Sequence, residues 1–150
     1  MLTHTDYDHV GALNLFKNAQ IILSTEEMPL ITGDAKRSFI SGNTLPEGID
    51  KERLTLVKDG EKLERGGHII ECIEAPGHTL GSTLYLLDDQ YLFTGDAFKV
   101  SEEKLAVHPY SMHSSEAKHT IQSLKPLFDR CQWVFTAHYG YYKANALKIN

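Results

Sequence analysis

Seven histidine and aspartate residues lie in four segments of the chain, with types and spacing that suit metal binding. They are His4, Asp6, Asp8, His9, His78, Asp96 and His138. Imidazole and carboxylate groups are ligands for Zn(II), Fe and Mn. In an extended segment, residues two apart point the same way, so His4, Asp6 and Asp8 can face one cavity. His9 follows at the start of a helix and reaches the same cavity from another angle.

The three later residues each lie where a predicted strand gives way to a loop. His78 lies in Ala75-Pro76-Gly77-His78-Thr79-Leu80-Gly81-Ser82, Asp96 ends Leu92-Phe93-Thr94-Gly95-Asp96, and His138 ends Trp133-Val134-Phe135-Thr136-Ala137-His138. Side chains at strand ends can converge from distant parts of a chain with little freedom to move, which a metal site requires. Thr79 and Ser82 are expected to hold the His78 ring through hydrogen bonds. We therefore expect all four segments to meet in one binuclear metal site.

The first 50 residues predict mainly helix around one short strand. Val10, Leu13, Phe16 and Ala19 follow helical spacing, which predicts a helix leaving directly from Asp8-His9. A buried strand is expected over 20–24, and Thr25-Glu26-Glu27-Met28 is typical of a helix start. Gly33, Gly42, Pro46 and Gly48 predict a loop or a poorly ordered helical insert over 33–50.

From Leu54 the pattern changes to short strands. These are expected over 54–57, 62–64, 68–75, 83–87, 90–94 and 133–137, with a hairpin turn at Asp88-Asp89. A helix capped by Ser114 or Ser115 should bury one apolar face, weakened at its last turn by Pro126. That face consists of Ala117, Ile121, Leu124 and Phe128. The order of elements predicts an α/β or α+β domain with sheet packed under helices.

Composition bounds the class of protein. A length of 150 residues predicts a single domain, and 41% hydrophobic with 23% charged residues is ordinary for a soluble globular protein. No apolar run is long enough to span a bilayer, and residues 1–20 lack a signal-peptide layout. Cys72 and Cys131 are expected to be core thiols, which suits a reducing compartment. A cytoplasmic location is therefore expected. A formal charge of −5 counts against nucleic-acid binding, and the one basic concentration, Lys36-Arg37, is too short to change this.

The four segments resemble the motifs of the metallo-β-lactamase-fold metallohydrolases, in the same order along the chain. The resemblance covers residue 3 to about residue 140 and departs in two ways. Asp6 stands where the family has the second His of His-x-His-x-Asp-His, and the β-rich part that the family places before that cluster is not seen. The resemblance implies an αββα sandwich, truncated at the N-terminus, so that 1–150 is one incomplete domain. An uncovered sheet face would then favour a homo-oligomer.

The resemblance also implies residue roles. His4 and His78, with Asp6 in place of a third imidazole, would hold one metal; Asp8, His9 and His138 would hold the other; Asp96 would bridge them. Asp8 would be the catalytic residue that orients hydroxide or passes a proton. The implied protein is a hydrolase with two Zn(II), or Fe or Mn, acting on an ester, thioester, lactone or related small molecule. The alternatives are a diiron oxygen- or NO-reducing module and a non-catalytic remnant.

Asp6 leaves three interpretations open: a tolerated change that keeps zinc, a preference for iron or manganese, or a degenerate site. If the pocket is otherwise intact, Asp6→His should raise zinc affinity at the first site. The remaining histidines are expected at the surface or in contact with ligand residues rather than with metal; they are His68, His108, His113 and His119. Tyr139, Tyr141 or Tyr142 could contact substrate at the mouth of the site.

Overall fold

The computed structural model describes residues 1–37 and 45–149. The strands found in these residues are β1 (Ile21–Ser24), β2 (Leu54–Val57), β3 (Lys62–Arg65), β4 (His68–Glu74), β5 (Thr83–Leu87), β6 (Tyr91–Gly95), β7 (Lys99–Ser101), β8 (Lys104–Ala106), β9 (Trp133–Thr136) and β10 (Tyr141–Lys143). The α-helices are α1 (Tyr7–Val10), α2 (Met28–Thr32), α3 (Ser114–Ser123) and α4 (Lys125–Arg130). None of these helices is both long and apolar enough to cross a membrane.

Most strands join one large sheet. Its order is β10-β9-β6-β5-β4-β3, with β6 and β9 parallel and the other neighbours antiparallel. A separate parallel pair, β1-β2, and the hairpin β7-β8 complete the β-structure of the described residues. At the β5–β6 hairpin, Asp88 and Asp89 both have φ of 52°, the backbone that a two-residue turn between twisted strands requires.

Side chains that alternate along β5 divide the interior into layers. Leu84 and Leu86 pack in the apolar cluster that includes Ile121 of α3 and Phe128 of α4. Tyr85, on the opposite face, packs with residues of β1 and β2. A further cluster joins β1 to α1 and α2. The layers therefore run helix, sheet, sheet, helix, which is the αββα sandwich that was expected, with β1-β2 as the second sheet of the described residues.

The predicted strands are confirmed to within about two residues, whereas the first helix is much shorter than its periodicity indicated. α1 ends at Val10, a short 3₁₀ turn covers Leu13–Leu15, and Phe16 is 60% exposed. The apolar face of the predicted helix is thus left largely unpacked beyond the 3₁₀ turn. Packing of the apolar face is what normally stabilises an amphipathic helix in water. Pro126 does more than weaken a last turn, because it begins α4 as a separate helix after α3. Part of the predicted 33–50 loop lies outside the described residues.

Five aromatic side chains, each exposed or partly exposed, form a strip on the large sheet. This aromatic face consists of Tyr91, Phe93, Trp133, Phe135 and Tyr141, whose strands pair in register. Phe93 and Phe135 stack with ring centroids 5.1 Å apart, and Phe93 is directly across from the buried Tyr85. Nevertheless Phe93 is 37% and Tyr141 66% exposed. Large exposed apolar patches are unusual on monomers and commonly serve as interaction surfaces.

We expect the aromatic face to drive self-association of this chain. Replacing Phe93 and Tyr141 together by serine should shift sedimentation-velocity profiles towards monomer, because two apolar rings leave the interface. The free energy of unfolding should change little, since both side chains are already partly solvated. Leu15→Ser is the control, because Leu15 is 81% exposed away from this face. A wild-type chain that stays monomeric at every concentration would show that the strip is not an interface.

Candidate metal centre

The segment that carries the first four ligand-type residues is held against the small sheet and then turns into α1. The backbone N–H of Leu2 donates to Ile22 O of β1 at 2.9 Å, which fixes the chain just before His4. Asp6 caps α1 with an extended backbone (φ −62°, ψ 148°), and the N–H of His9 donates to Asp6 O at 2.9 Å. The extended backbone directs His4 and Asp6 into the same interior space, while the first helical turn brings His9 there from another side.

A buried carboxylate, Glu27, connects this segment to the loop that carries His78. Its Oε1 accepts from the N–H and the hydroxyl of Thr5 at 2.9 and 2.8 Å. Its Oε2 accepts from the Thr79 hydroxyl at 2.7 Å and from the Gly81 N–H at 2.9 Å. The expectation that Thr79 holds the His78 ring is therefore wrong: its hydroxyl is bonded to Glu27 and Ser82, and it fixes the loop rather than the imidazole.

The two glycines around His78 are required by close packing of backbone. Gly77 has φ of 129°, and a side-chain Cβ there would clash with the backbone nitrogen of Ala117 in α3. A Cβ on Gly81 would clash with the backbone nitrogen of Glu27. Any larger residue would force backbone apart at either place. The loop is consequently clamped between α3 on one side and the Glu27 segment on the other, with His78 between them.

Asp96 is the hub at which the four segments meet. It follows β6 directly, and its Oδ2 lies 3.4 Å from His138 Nε2, 3.6 Å from His9 Nε2 and 3.7 Å from His78 Nε2. Around it, Asp6 Oδ2 lies 3.4 Å from His4 Nε2 and 3.2 Å from His78 Nε2. Asp8 Oδ2 lies 3.1 Å from His138 Nε2. The structure thus brings together all seven residues that the sequence indicated.

The cluster has a closed end and an open end. The set His4, Asp6 and His78 is wholly buried, whereas in the set Asp8, His9 and His138 the side chains of Asp8 and His138 are 56% and 45% exposed. Because Asp8 and His138 border solvent, that set alone among the described residues is open to a small molecule without movement of the protein. A cavity of about 320 Å³ is lined by His9, Phe93 and Phe135.

These residues fit a pair of metal ions. His4 Nε2, His9 Nε2 and Asp96 Oδ1 are buried without a hydrogen-bond partner of good geometry among the described residues. Buried polar atoms are normally satisfied, so such orphaned atoms need a ligand. Two ligand atoms that bind the same tetrahedral ion, each at about 2.1 Å, lie roughly 3.4 Å apart. The nitrogen–oxygen distances given above are close to this value. The donor set of imidazoles and carboxylates also suits Zn(II), Fe or Mn.

The electrostatics of the cluster favour ionised Asp6 and Asp96 and neutral His4 and His108, the forms in which these groups bind metal. Burial alone would raise the pKa of Asp96, but its contact with His9 and the surrounding imidazoles bring it down to about 2. Burial likewise opposes ionisation of Asp6, yet contacts with His4 and His78 and the charge of Arg37 hold the pKa of this carboxyl well below its usual range. Burial lowers the pKa of His4.

His108 belongs to the centre, although no partner spacing in the sequence singled it out. It is 5% exposed, so it is not a surface residue, and its Nε2 lies 3.8 Å from Asp96 Oδ2. Burial lowers its pKa to about 4, which keeps the imidazole neutral. Its Nδ1 accepts from the Tyr110 N–H at 3.4 Å. His68, His113 and His119 are exposed, as expected, and belong to none of the ligand-type groups among the described residues.

Of the three tyrosines expected near the mouth, the structure brings one to the cluster. The Tyr139 ring lies 5.9 Å from that of His108 and 6.5 Å from that of His138. Tyr141 belongs to the aromatic face, and Tyr142 packs against the main apolar cluster with its hydroxyl donating to Tyr139 O.

Cys72 and Cys131 are free and buried, which confirms them as core thiols.

Arg37 also lies at the centre, where the sequence had indicated nothing more than a short basic pair. Its side chain is 3% exposed, and its Nη2 lies 3.0 Å from Asp6 Oδ2. The expected gain in zinc affinity from Asp6→His presupposes a pocket that is otherwise suited to an imidazole at position 6. The pocket around Asp6 contains the Arg37 guanidinium and therefore does not meet this condition. No local signal distinguishes this arginine from the partly exposed Arg53, which also donates to two backbone carbonyls.

Comparison with curated proteins gives two informative relatives. The chain is 32% identical over 138 residues to "Probable metallo-hydrolase MJ0296" of Methanocaldococcus jannaschii, which covers 92% of this chain and 55% of that protein. It is 36% identical over 96 residues to "Probable polyketide biosynthesis zinc-dependent hydrolase BaeB" of Bacillus velezensis, which covers 64% of this chain and 36% of that protein. The matched part thus spans about half or less of these relatives.

The fold and a family model agree with these relatives. The archaeal metallo-beta-lactamase superfamily protein ST1585 from Sulfolobus tokodaii superposes with a TM-score of 0.68 at 21% identity, over 97% of this chain and 62% of that one. Structural similarity at that level of sequence identity is evidence for the fold alone. The family model described as the metallo-beta-lactamase superfamily matches residues 1–134, which include six of the seven ligand-type residues. With its αββα layers and its motifs in family order, this chain belongs to the metallo-β-lactamase superfamily.

Proposed function

We propose that this protein is a metal-dependent hydrolase that uses two metal ions, most readily Zn(II), on an ester, thioester, lactone or related small molecule. The observation that carries the proposal is the gathering of six ligand-type side chains around a seventh, Asp96, with unsatisfied nitrogen and oxygen atoms at the centre. The printed names of the two relatives, a zinc-dependent hydrolase and a metallo-hydrolase, support the same reaction class.

The two ligand sets divide the work. His4, Asp6 and His78 would hold one ion, Asp8, His9 and His138 the other, and Asp96 would contact both. Bound ions of this kind supply Lewis acidity and lower the pKa of a water towards neutrality. The protein itself supplies rigidity, because Glu27 holds the loops of His4 and His78 at a fixed separation.

Asp8 is the residue placed to move a proton. Its carboxylate is at the open end of the cluster, 56% exposed and 3.1 Å from His138 Nε2. A carboxylate there can take a proton from an attacking water and pass it to the leaving group. Because substrate can reach Asp8 and His138 but not the closed set, we expect the scissile bond to lie beside these two residues.

Metal analysis combined with a substrate panel tests the proposal. We expect about two zinc ions per chain, and hydrolysis of a chromogenic ester, thioester or lactone that a chelator removes and added zinc restores. Asp8→Asn should lower kcat by about 100-fold or more, because the proton acceptor is lost. Asp129→Asn, an exposed carboxylate on α4, should leave kcat unchanged.

Other outcomes point to the alternatives. Bound iron with an optical band and oxygen consumption, without hydrolysis, would identify a redox module instead. A folded protein that binds neither zinc nor iron would be the non-catalytic remnant. Cytoplasmic residence and independence from nucleic acid and membranes remain part of the proposal, and they are checked by fractionation of the host cells and by binding assays with DNA and vesicles.

A further inference from the structure

Arg37 joins three segments of the centre by contacts that no surface arginine could make. Its Nη1 donates to His78 O at 2.6 Å, and its Nη2 donates to Tyr110 O at 2.8 Å and lies 3.0 Å from Asp6 Oδ2. These partners lie on the first ligand segment, on the His78 loop and on the loop that follows His108. With its side chain 3% exposed, the guanidinium is effectively inside the protein.

A buried guanidinium needs a negative partner beside it. Arginine is not deprotonated in proteins, and an unpaired charge in a poorly solvated interior is very costly. Asp6 is the carboxylate in contact with it, and the same Oδ2 atom that faces Arg37 also faces the Nε2 atoms of His4 and His78. The oxygen available to a metal ion is therefore already neutralised by Arg37.

We propose that Asp6 and Arg37 form one charge-balanced unit that stands in for a neutral imidazole at the closed end of the centre, with Arg37 as its positioning residue. A histidine at position 6 would contribute no charge; a carboxylate contributes −1, and the guanidinium restores the sum to zero. The unit keeps an oxygen ligand in place while leaving the total charge of the closed set unchanged. The inference rests on the proposed metal centre.

The two backbone contacts explain why the positive group must be arginine. A guanidinium presents several N–H donors in a fixed plane, so it can reach His78 O, Tyr110 O and Asp6 at once. A lysine would supply the charge without this geometry. Removing the charge of Asp6 alone should therefore lower zinc affinity and the thermal midpoint more than removing the charges of Asp6 and Arg37 together.

A double-mutant cycle tests the coupling. The variants are Asp6→His, Arg37→Gln and the two combined, with glutamine chosen because it is neutral and still carries N–H donors. With Arg37 present, Asp6→His should weaken zinc binding at the closed set by about 10–100-fold, because the unpaired guanidinium repels the ion. In the Arg37→Gln background, the same change should leave zinc affinity unchanged or raise it. Calorimetric titration of zinc into metal-free protein measures both.

The metal-free protein gives a second readout that does not depend on activity. The thermal midpoint should fall on Asp6→His and recover in part when Arg37→Gln is added. Should Asp6→His fail to fold, Asp6→Asn, which preserves the shape of the side chain, takes its place in the cycle. Arg53→Gln is the control, since Arg53 is a partly exposed arginine with two backbone-carbonyl contacts and should rescue neither readout.

The possible results separate this inference from the proposed function. Coupling of the thermal midpoints in a protein that binds no metal would support the charge pairing of Asp6 with Arg37 but contradict both its role at a metal centre and the hydrolase proposal. Two ions bound, with Asp6→His having the same effect on zinc affinity and on the thermal midpoint in both backgrounds, would overturn the unit and leave the hydrolase proposal intact.

Discussion

Replacing Asp96 by alanine is expected to abolish loading of two metal ions. Asp96 Oδ2 lies within 3.8 Å of Nε2 atoms from both ligand sets, so a single substitution removes a ligand from each. We expect at most one ion per chain by elemental analysis. The remaining affinity should fall by more than the roughly 10–100-fold typical of groups that only orient a ligand. Hydrolytic activity should be lost with the ions.

Two further variants make this result interpretable. Asp96→Asn preserves the shape of the side chain and removes its charge, so the loss should persist if the negative charge is what holds the ions together. Asp88→Asn is the matched control: Asp88 Oδ2 lies 2.6 Å from His68 Nδ1, a histidine–aspartate contact on the exposed β5–β6 turn. Two ions bound at unchanged affinity in Asp96→Ala would remove Asp96 from its bridging role.

Replacing Glu27 by alanine is expected to cause the largest loss of stability. Glu27 is fully buried and accepts four hydrogen bonds, two on each carboxylate oxygen. Its removal leaves the donors of Thr5, Thr79 and Gly81 without this acceptor in the interior, and each unsatisfied buried donor costs about 1–3 kcal/mol. Allowing for relaxation, we expect the free energy of unfolding of the metal-free protein to fall by about 3–5 kcal/mol.

Chemical denaturation measures this loss, and the neighbouring residue provides the control. Glu26 has the same side chain but is exposed, so Glu26→Ala should change the free energy of unfolding by no more than about 0.5 kcal/mol. Glu27→Gln should also destabilise, because its amide N–H₂ would face donors where an oxygen now accepts. A loss below about 1 kcal/mol for Glu27→Ala would show that the two loops do not depend on this carboxylate.

Local patterns in the sequence were sufficient for the strands and for the expected ligands. Alternating apolar residues and turn signals placed β2 to β6 and β9 to within about two residues, and the hairpin at Asp88-Asp89 formed where the turn residues indicated. The ligand-type residues were identified because their motifs are short and each lies next to a strand end. Both signals are local: a few consecutive residues determine the pleat, the turn and the direction of a side chain.

Residues of the same type differ in burial and in contacts, and only the tertiary structure decided these differences. Glu26 is exposed and Glu27 is buried as the link between two loops. His68 is at the surface while His108 lies against Asp96, and Arg53 is partly exposed while Arg37 is buried in the centre. The hydrogen-bond partners of Glu27 and Arg37 are 22 to 73 positions away along the chain, so no window of neighbouring residues contains them.

The same reason explains the first helix. Val10, Leu13 and Phe16 have the spacing of an amphipathic helix, but only Val10 is fully buried and α1 ends there. Spacing specifies which side chains share a face, whereas the layers against which that face could pack are assembled from distant strands. The sequence alone therefore determined the ligand types and the strands that carry them. Packing decided which further charges, Arg37 and Glu27, entered the interior, because burial of a charge depends on partners that only the folded chain brings together.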